Sequence, residues 1–81
     1  MNSRRMEYLG AALRRERRLQ DKTLQQVAEA VGLKENTISA YEKGKIQIPI
    51  DNLDAICKFL NTSYIDLLIK VQKMMDLDQQ N

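Results

Sequence analysis

The stretch LQQVAEAVGLKENTISAYEK, residues 24–43, places apolar residues at helical spacing on both sides of a single glycine. Val27, Ala28 and Val31 fall on one side of a first helix, Ile38 and Tyr41 on one side of a second, and Gly32 lies between them. Glycine enters a left-handed turn at little cost, so Gly32 can end the first helix sharply and let the second leave at a steep angle. Ala28 is small where the two helices must approach closely. This is the arrangement that two helices joined by a three- or four-residue turn require.

The rest of the chain reads as three further helices. Leu9, Ala12, Leu13 and Leu19/Gln20 recur at helical spacing with arginines opposite them, predicting helix one over about 6–20. Asp21 and Lys22 break that pattern, and Thr23 is placed to cap helix two, about 24–31, with Leu24, Val27, Ala28 and Val31 inward. Helix three is expected over about 35–43, ended by Gly44, and Lys45 to Pro49 form a loop. Pro49 suits the first turn of helix four, in which Leu53, Ile56, Cys57 and Leu60 share a face. Ser63, with Asp66 three residues on, resembles a capping box for helix five, which its apolar series carries to about 76. Five short helices leave no room for a sheet. The expected class is all-α: one domain over 1–81, with a helix-five extension over about 70–76 and a frayed tail over 77–81.

Eighty-one residues bury only about 60% of the surface that the unfolded chain exposes, which argues against a large catalytic cleft. The absence of histidine and the single Cys57 exclude Cys/His metal sites, internal disulfides and histidine acid–base chemistry. No nucleophile–base pair or phosphate-binding loop is visible, so an enzyme is not expected, nor a cofactor or metal. The apolar runs are too short for a membrane span. Charge is uneven: residues 1–45 hold ten Lys/Arg against six Asp/Glu (+4), and residues 46–81 hold three against five (−2). The N-terminal half is therefore the candidate for a polyanion.

Three pieces, TLQQVAEAVGL, NTISAYEKGK and IPIDNLDAICKFLNTSYIDLL, occur in an order and at separations that resemble the Cro and phage-repressor type of helix-turn-helix regulators, the XRE-like family, over about residues 8–69. The resemblance implies a five-helix DNA-binding domain with its helix-turn-helix at helices two and three. It implies a sequence-specific transcriptional regulator, expected to be a repressor binding an inverted-repeat operator in double-stranded DNA as a homodimer, in the cytoplasm of a bacterium or phage-infected cell. The alternative is an antitoxin or accessory module whose main partner is another protein, bound through the apolar surface of helix five.

Matching motif to motif puts Lys34, Glu35, Asn36, Ser39 and Ala40 where relatives face bases in the major groove. Asn36 can make paired bonds to adenine, Lys34 can donate to guanine, Glu35 can accept from the cytosine amino group, and Ala40 can touch a thymine methyl; Ser39 discriminates least. Phosphate contacts are expected from Arg17, Thr23, Gln25, Lys43 and Lys45, with Arg4 and Arg5 as a mobile arm. Relatives pair an arginine of helix one with a glutamate late in helix three, and Arg17 and Glu42 occupy those positions. Three departures stand out. Leu24 replaces a glutamine that reaches DNA in many phage repressors, and Lys34 offers no acceptor to cap helix three. Lys22 replaces an apolar residue that would staple helix two, a space that Leu19 is expected to fill. Tyr64, Ile65, Leu68, Val71, Met74 and Met75 exceed what a small core can bury and are expected to form a dimer surface.

Overall fold

The computed structural model describes residues 4–79, and among them five helices follow one another: α1 (Arg4–Leu19), α2 (Leu24–Val31), α3 (Glu35–Glu42), α4 (Ile50–Phe59) and α5 (Tyr64–Gln79). The expected all-α class holds, and α2 has the expected bounds. Pro49 sits one residue earlier than expected, as the N-cap of α4 with φ −59° and ψ 145°.

One local device makes all four connections short. Each contains a residue with left-handed backbone: Asp21 (φ 55°), Gly32 (φ 71°), Gly44 (φ 69°) and Asn61 (φ 55°). At Gly44 the chain then closes two bonds back onto α3, Gly44 N–H to the Tyr41 carbonyl (3.1 Å) and Lys45 N–H to the Ala40 carbonyl (3.0 Å). The same pair recurs after α1, from Asp21 and Lys22 to Arg18 and Arg17, and after α4, from Asn61 and Thr62 to Lys58 and Cys57. These bonds satisfy carbonyls that a helix end leaves open, so each helix stops without burying an unpaired group. Aspartate and asparagine serve at two of the four turns because their short polar side chains tolerate the left-handed region better than most.

The core gathers Leu9 and Leu13 from α1, Val27 and Ala28 from α2, Ile38 and Tyr41 from α3, Leu53, Ile56 and Cys57 from α4, Leu60 just after it, and Leu67, Val71 and Met75 from α5. α1 lies against both α3 and α5, while α2 bridges α3 and α4. Cys57 is fully enclosed, and burial, with smaller contributions from Asp54 and Glu16, pushes its thiol pKa up to about 11. It therefore stays protonated and acts as a small core residue.

Four expectations change. Arg4 and Arg5 belong to the first turn of α1 and form no separate arm; the Arg4 guanidinium lies 5.9 Å from the centre of the Tyr8 ring. α5 continues to Gln79, past the expected end at about 76, because Met75 is buried and anchors its last turns; residues 80 and 81 lie outside the described residues. Leu19 is 67% exposed and staples nothing. The turn before α2 is tied to the end of α4 instead, by Lys22, whose ammonium lies 5.6 Å from the Phe59 ring, and by Gln20, whose side-chain amide donates to the Leu60 carbonyl.

The fourth change concerns α5. Leu67, Val71 and Met75 repeat at i, i+4 and i+8, and this stripe packs inward, so Val71 and Met75 are core residues and not dimer surface. Tyr64 and Leu68 pack partly against the same core. Ile65 and Met74 remain exposed, at 55% and 45%. Nine helical residues apart, they point in directions about 180° from one another, so the six residues do not form one patch.

Candidate nucleic-acid interface

α2 starts where Thr23 and Gln26 exchange hydrogen bonds: the Gln26 amide N–H donates to the Thr23 hydroxyl (3.0 Å), and the Thr23 N–H donates to the Gln26 side-chain oxygen (2.8 Å). The T-x-x-Q spacing signals this box in the sequence, although Thr23 alone draws the eye as a cap. Gln25, on the exposed first turn, uses its amide to donate to Glu29 (3.1 Å). At α5 the expected box is only half formed, with the Asp66 N–H 3.4 Å from the Ser63 hydroxyl and no return bond among the described residues.

α3 turns Ile38 and Tyr41 into the core, and the Tyr41 hydroxyl accepts a hydrogen bond from the Asn52 side-chain amide (3.0 Å), fastening the helix to α4. Its other face is open. Lys34, Glu35, Asn36 and Lys43 are exposed, while Ser39 and Ala40 are half-buried. Asn36, Ala40 and Lys43 recur at i, i+4 and i+7 and so form one outward ridge, with Ser39 beside it. Lys34 caps α3 with extended backbone and no side-chain bond, as its side chain has no acceptor to offer. Lys45 is exposed just beyond the turn at Gly44.

The position of this ridge is set from α1. Arg17 donates from Nε to one Glu42 carboxylate oxygen (2.7 Å) and from Nη2 to the other (3.0 Å), and Nη1 donates to the Lys22 carbonyl (2.8 Å). One guanidinium thus joins α1, the turn before α2 and the end of α3. The side chains are only 11% and 7% exposed. The hydrogen bond to Glu42 raises the arginine pKa, the Glu42 charge adds to this, and burial opposes it. Arg17 is therefore chiefly a positioning residue, with two of its five N–H donors left over, rather than the open phosphate contact expected from sequence.

Gly10, which the sequence reading passed over, allows the approach. A Cβ there would fall 2.6 Å from the Glu42 carbonyl oxygen and even nearer the carbonyl of Tyr41. α1 and α3 thus cross backbone against backbone. Arg14, Arg17, Arg18, Ser39, Glu42 and Lys43 line one cleft beside this crossing. Arg4 and Arg5 lie at the opposite end of α1, roughly 20 Å from Arg17. Arg5 instead borders an apolar groove with Met6, Ile46, Ile48, Ile50 and Leu68.

Residues 13–67 match the helix-turn-helix family. The chain belongs to it. The clp gene regulator ClgR from Corynebacterium glutamicum has a similar structure, with a TM-score of 0.88, 31% identity, and coverage of 99% of this chain and 85% of that one. The chain is 32% identical over 60 residues to the antitoxin PezA of Streptococcus pneumoniae, covering 74% of this chain. It spans only 38% of that curated relative's length. The fold is also that of the biofilm master regulator SinR, solved in complex with DNA, at a TM-score of 0.68, 24% identity, and coverage of 74% of this chain and 97% of that one. This is a family of DNA-binding transcriptional regulators and not of enzymes.

Proposed function

We propose that this chain is a sequence-specific repressor that binds an inverted-repeat operator as a homodimer and excludes polymerase from it. The observation that carries the reading is the outward ridge of α3, where Asn36 and Lys43 are exposed with half-buried Ala40 between them, on a helix locked from behind by Tyr41–Asn52 and Arg17–Glu42. Lys34, Glu35, Asn36, Ser39 and Ala40 read base edges, with Thr23, Gln25, Lys43 and Lys45 on phosphates. Two-fold pairing is supported by exposed apolar residues, Ile46 (44%) and Ile50 (61%) beside Leu68 on one groove, and Ile65 (55%) and Ile69 (49%) one turn apart on α5. A second copy is their natural cover, because one short recognition helix reads too few bases alone.

Selection of bound duplexes from a random pool tests this. The expected product is an inverted repeat with half-site centres about 10 base pairs apart. Recovery of no sequence above background would remove the proposal. Asn36→Ala is expected to cost about 1–3 kcal/mol and relax preference at one base pair, whereas Lys45→Ala weakens all sequences and lowers the salt slope by about 1. Equal losses of Asn36→Ala on selected and random DNA would rule out base reading by that residue.

A second reading, a protein-binding antitoxin module, is favoured by the likeness to PezA and by exposed Leu19, Met74 and Leu77. Copurification of a stoichiometric foreign protein from the native host would support it.

A further inference from the structure

We propose that Arg14 and Arg18, with Lys43, seat one phosphate of the DNA backbone in the cleft between α1 and α3. This rests on the DNA-binding reading and adds a contact to it. Arg14 and Arg18 are one turn apart on α1, on the flank that meets α3, and both are exposed. Their side chains make no ion pair or hydrogen bond among the described residues, whereas Arg17 between them donates three hydrogen bonds, to Glu42 and to the Lys22 carbonyl.

The charge balance of the cleft follows from those bonds. Glu42 is the one acid lining it, and both its carboxylate oxygens accept from Arg17, so that pair is neutral. Arg14, Arg18 and Lys43 remain as three uncompensated cations around one concavity. Like charges one helical turn apart repel, and neither arginine has an acid four residues away: Gly10 precedes Arg14, and Lys22 follows Arg18. An anion filling the cleft removes that repulsion. Arginine forks match phosphate oxygens, and Arg17 keeps two N–H donors near the floor. Ser39 lines the same cleft and belongs to the base-reading face, so a phosphate seated there lies next to bases in the groove. Arg15, on the same helix, borders Arg14, Arg18 and Glu42 on one side and a groove with Leu67, Lys70 and Met74 against α5 on the other, but it does not line the cleft that holds Ser39 and Lys43 and so falls outside the seat.

That contrast supplies the test. Binding of selected and random duplexes is measured over a salt series for the wild type, for Arg14→Gln/Arg18→Gln, and for Arg15→Gln; glutamine keeps helix propensity and a polar tip at these exposed positions. The double variant is expected to bind both duplexes roughly tenfold more weakly, with a salt slope lower by about one, and Arg15→Gln to differ little from wild type. Side-chain NMR signals of Arg14 and Arg18 are expected to shift on adding duplex but not on adding inorganic phosphate at the same ionic strength. If the wild type binds DNA and the double variant matches it in affinity and slope, the seat is overturned while the DNA-binding reading stands. Equal loss in Arg15→Gln also overturns it, because diffuse charge then accounts for the effect. Saturable binding of inorganic phosphate at Arg14 and Arg18, with DNA affinity untouched by their replacement, replaces the backbone phosphate by a free phosphate ligand. A wild type that binds no duplex sinks the function itself.

Discussion

Gly10→Ala is expected to destabilise the fold by about 2 kcal/mol or more and to weaken DNA binding with it. In an ordinary helix interior the same change stabilises, by about 1 kcal/mol, because alanine loses less backbone entropy than glycine. Here the new methyl meets the Tyr41 and Glu42 carbonyls, the latter at 2.6 Å, on a neighbouring helix whose backbone cannot rotate away as a side chain could. Overpacking of a rigid site costs up to about 3 kcal/mol or more, so the clash outweighs the propensity gain. The melting temperature should fall by roughly 10 °C or more for a domain of this size. Gly32→Ala is the control: nothing lies within 4 Å of its added Cβ, so only the cost of φ 71° is felt. If Gly10→Ala melts at or above the wild-type temperature, α1 and α3 do not cross at the separation described, and the ridge of Asn36, Ala40 and Lys43 is not held from α1.

What the sequence made legible follows the range over which each signal acts. α2 was bounded correctly because both its ends carry local chemistry, Thr23 at one and Gly32 at the other. α5 runs past its expected end because that end has no such mark: no glycine or proline follows Asp76, and what holds the helix to Gln79 is Met75 packing into the core. The six apolar residues expected at a dimer surface divide between faces for a related reason. Tyr64, Ile65, Leu67, Leu68, Val71, Met74 and Met75 encircle more than one face, and periodicity alone does not say which face wins. The presence of α1 selects Leu67, Val71 and Met75. Gly10 carried no signal at all, since a glycine within a helix looks like a simple weakness until its neighbour is known. Arg14 and Arg18 were plain as surface charges, but the sequence does not reveal which flank of α1 meets α3. The Arg17–Glu42 pair, 25 residues apart, was legible only through family resemblance.

That pair is where stability and recognition should be separable. Glu42→Ala is expected to cost about 2–3 kcal/mol, because it leaves a part-buried guanidinium, 11% exposed, with only the Lys22 carbonyl for a partner. An exposed pair would cost no more than about 1 kcal/mol, so a small loss in urea unfolding would mean that water reaches the site far more freely than the geometry indicates. Replacing both partners, Arg17→Met with Glu42→Leu, removes the stranded charge and fills the same space with apolar atoms. The double variant should therefore recover much of the stability lost by Glu42→Ala, and the coupling energy is read from a cycle with Arg17→Met and Glu42→Leu as the single variants. Operator affinity should not recover. The three bonds of Arg17 hold the end of α3 in register with the turn before α2, and dispersion contacts between methionine and leucine fix no such angle. A stable double variant that binds operator as tightly as the wild type would show that packing alone orients the ridge of Asn36, Ala40 and Lys43, and that the ion pair contributes only to stability.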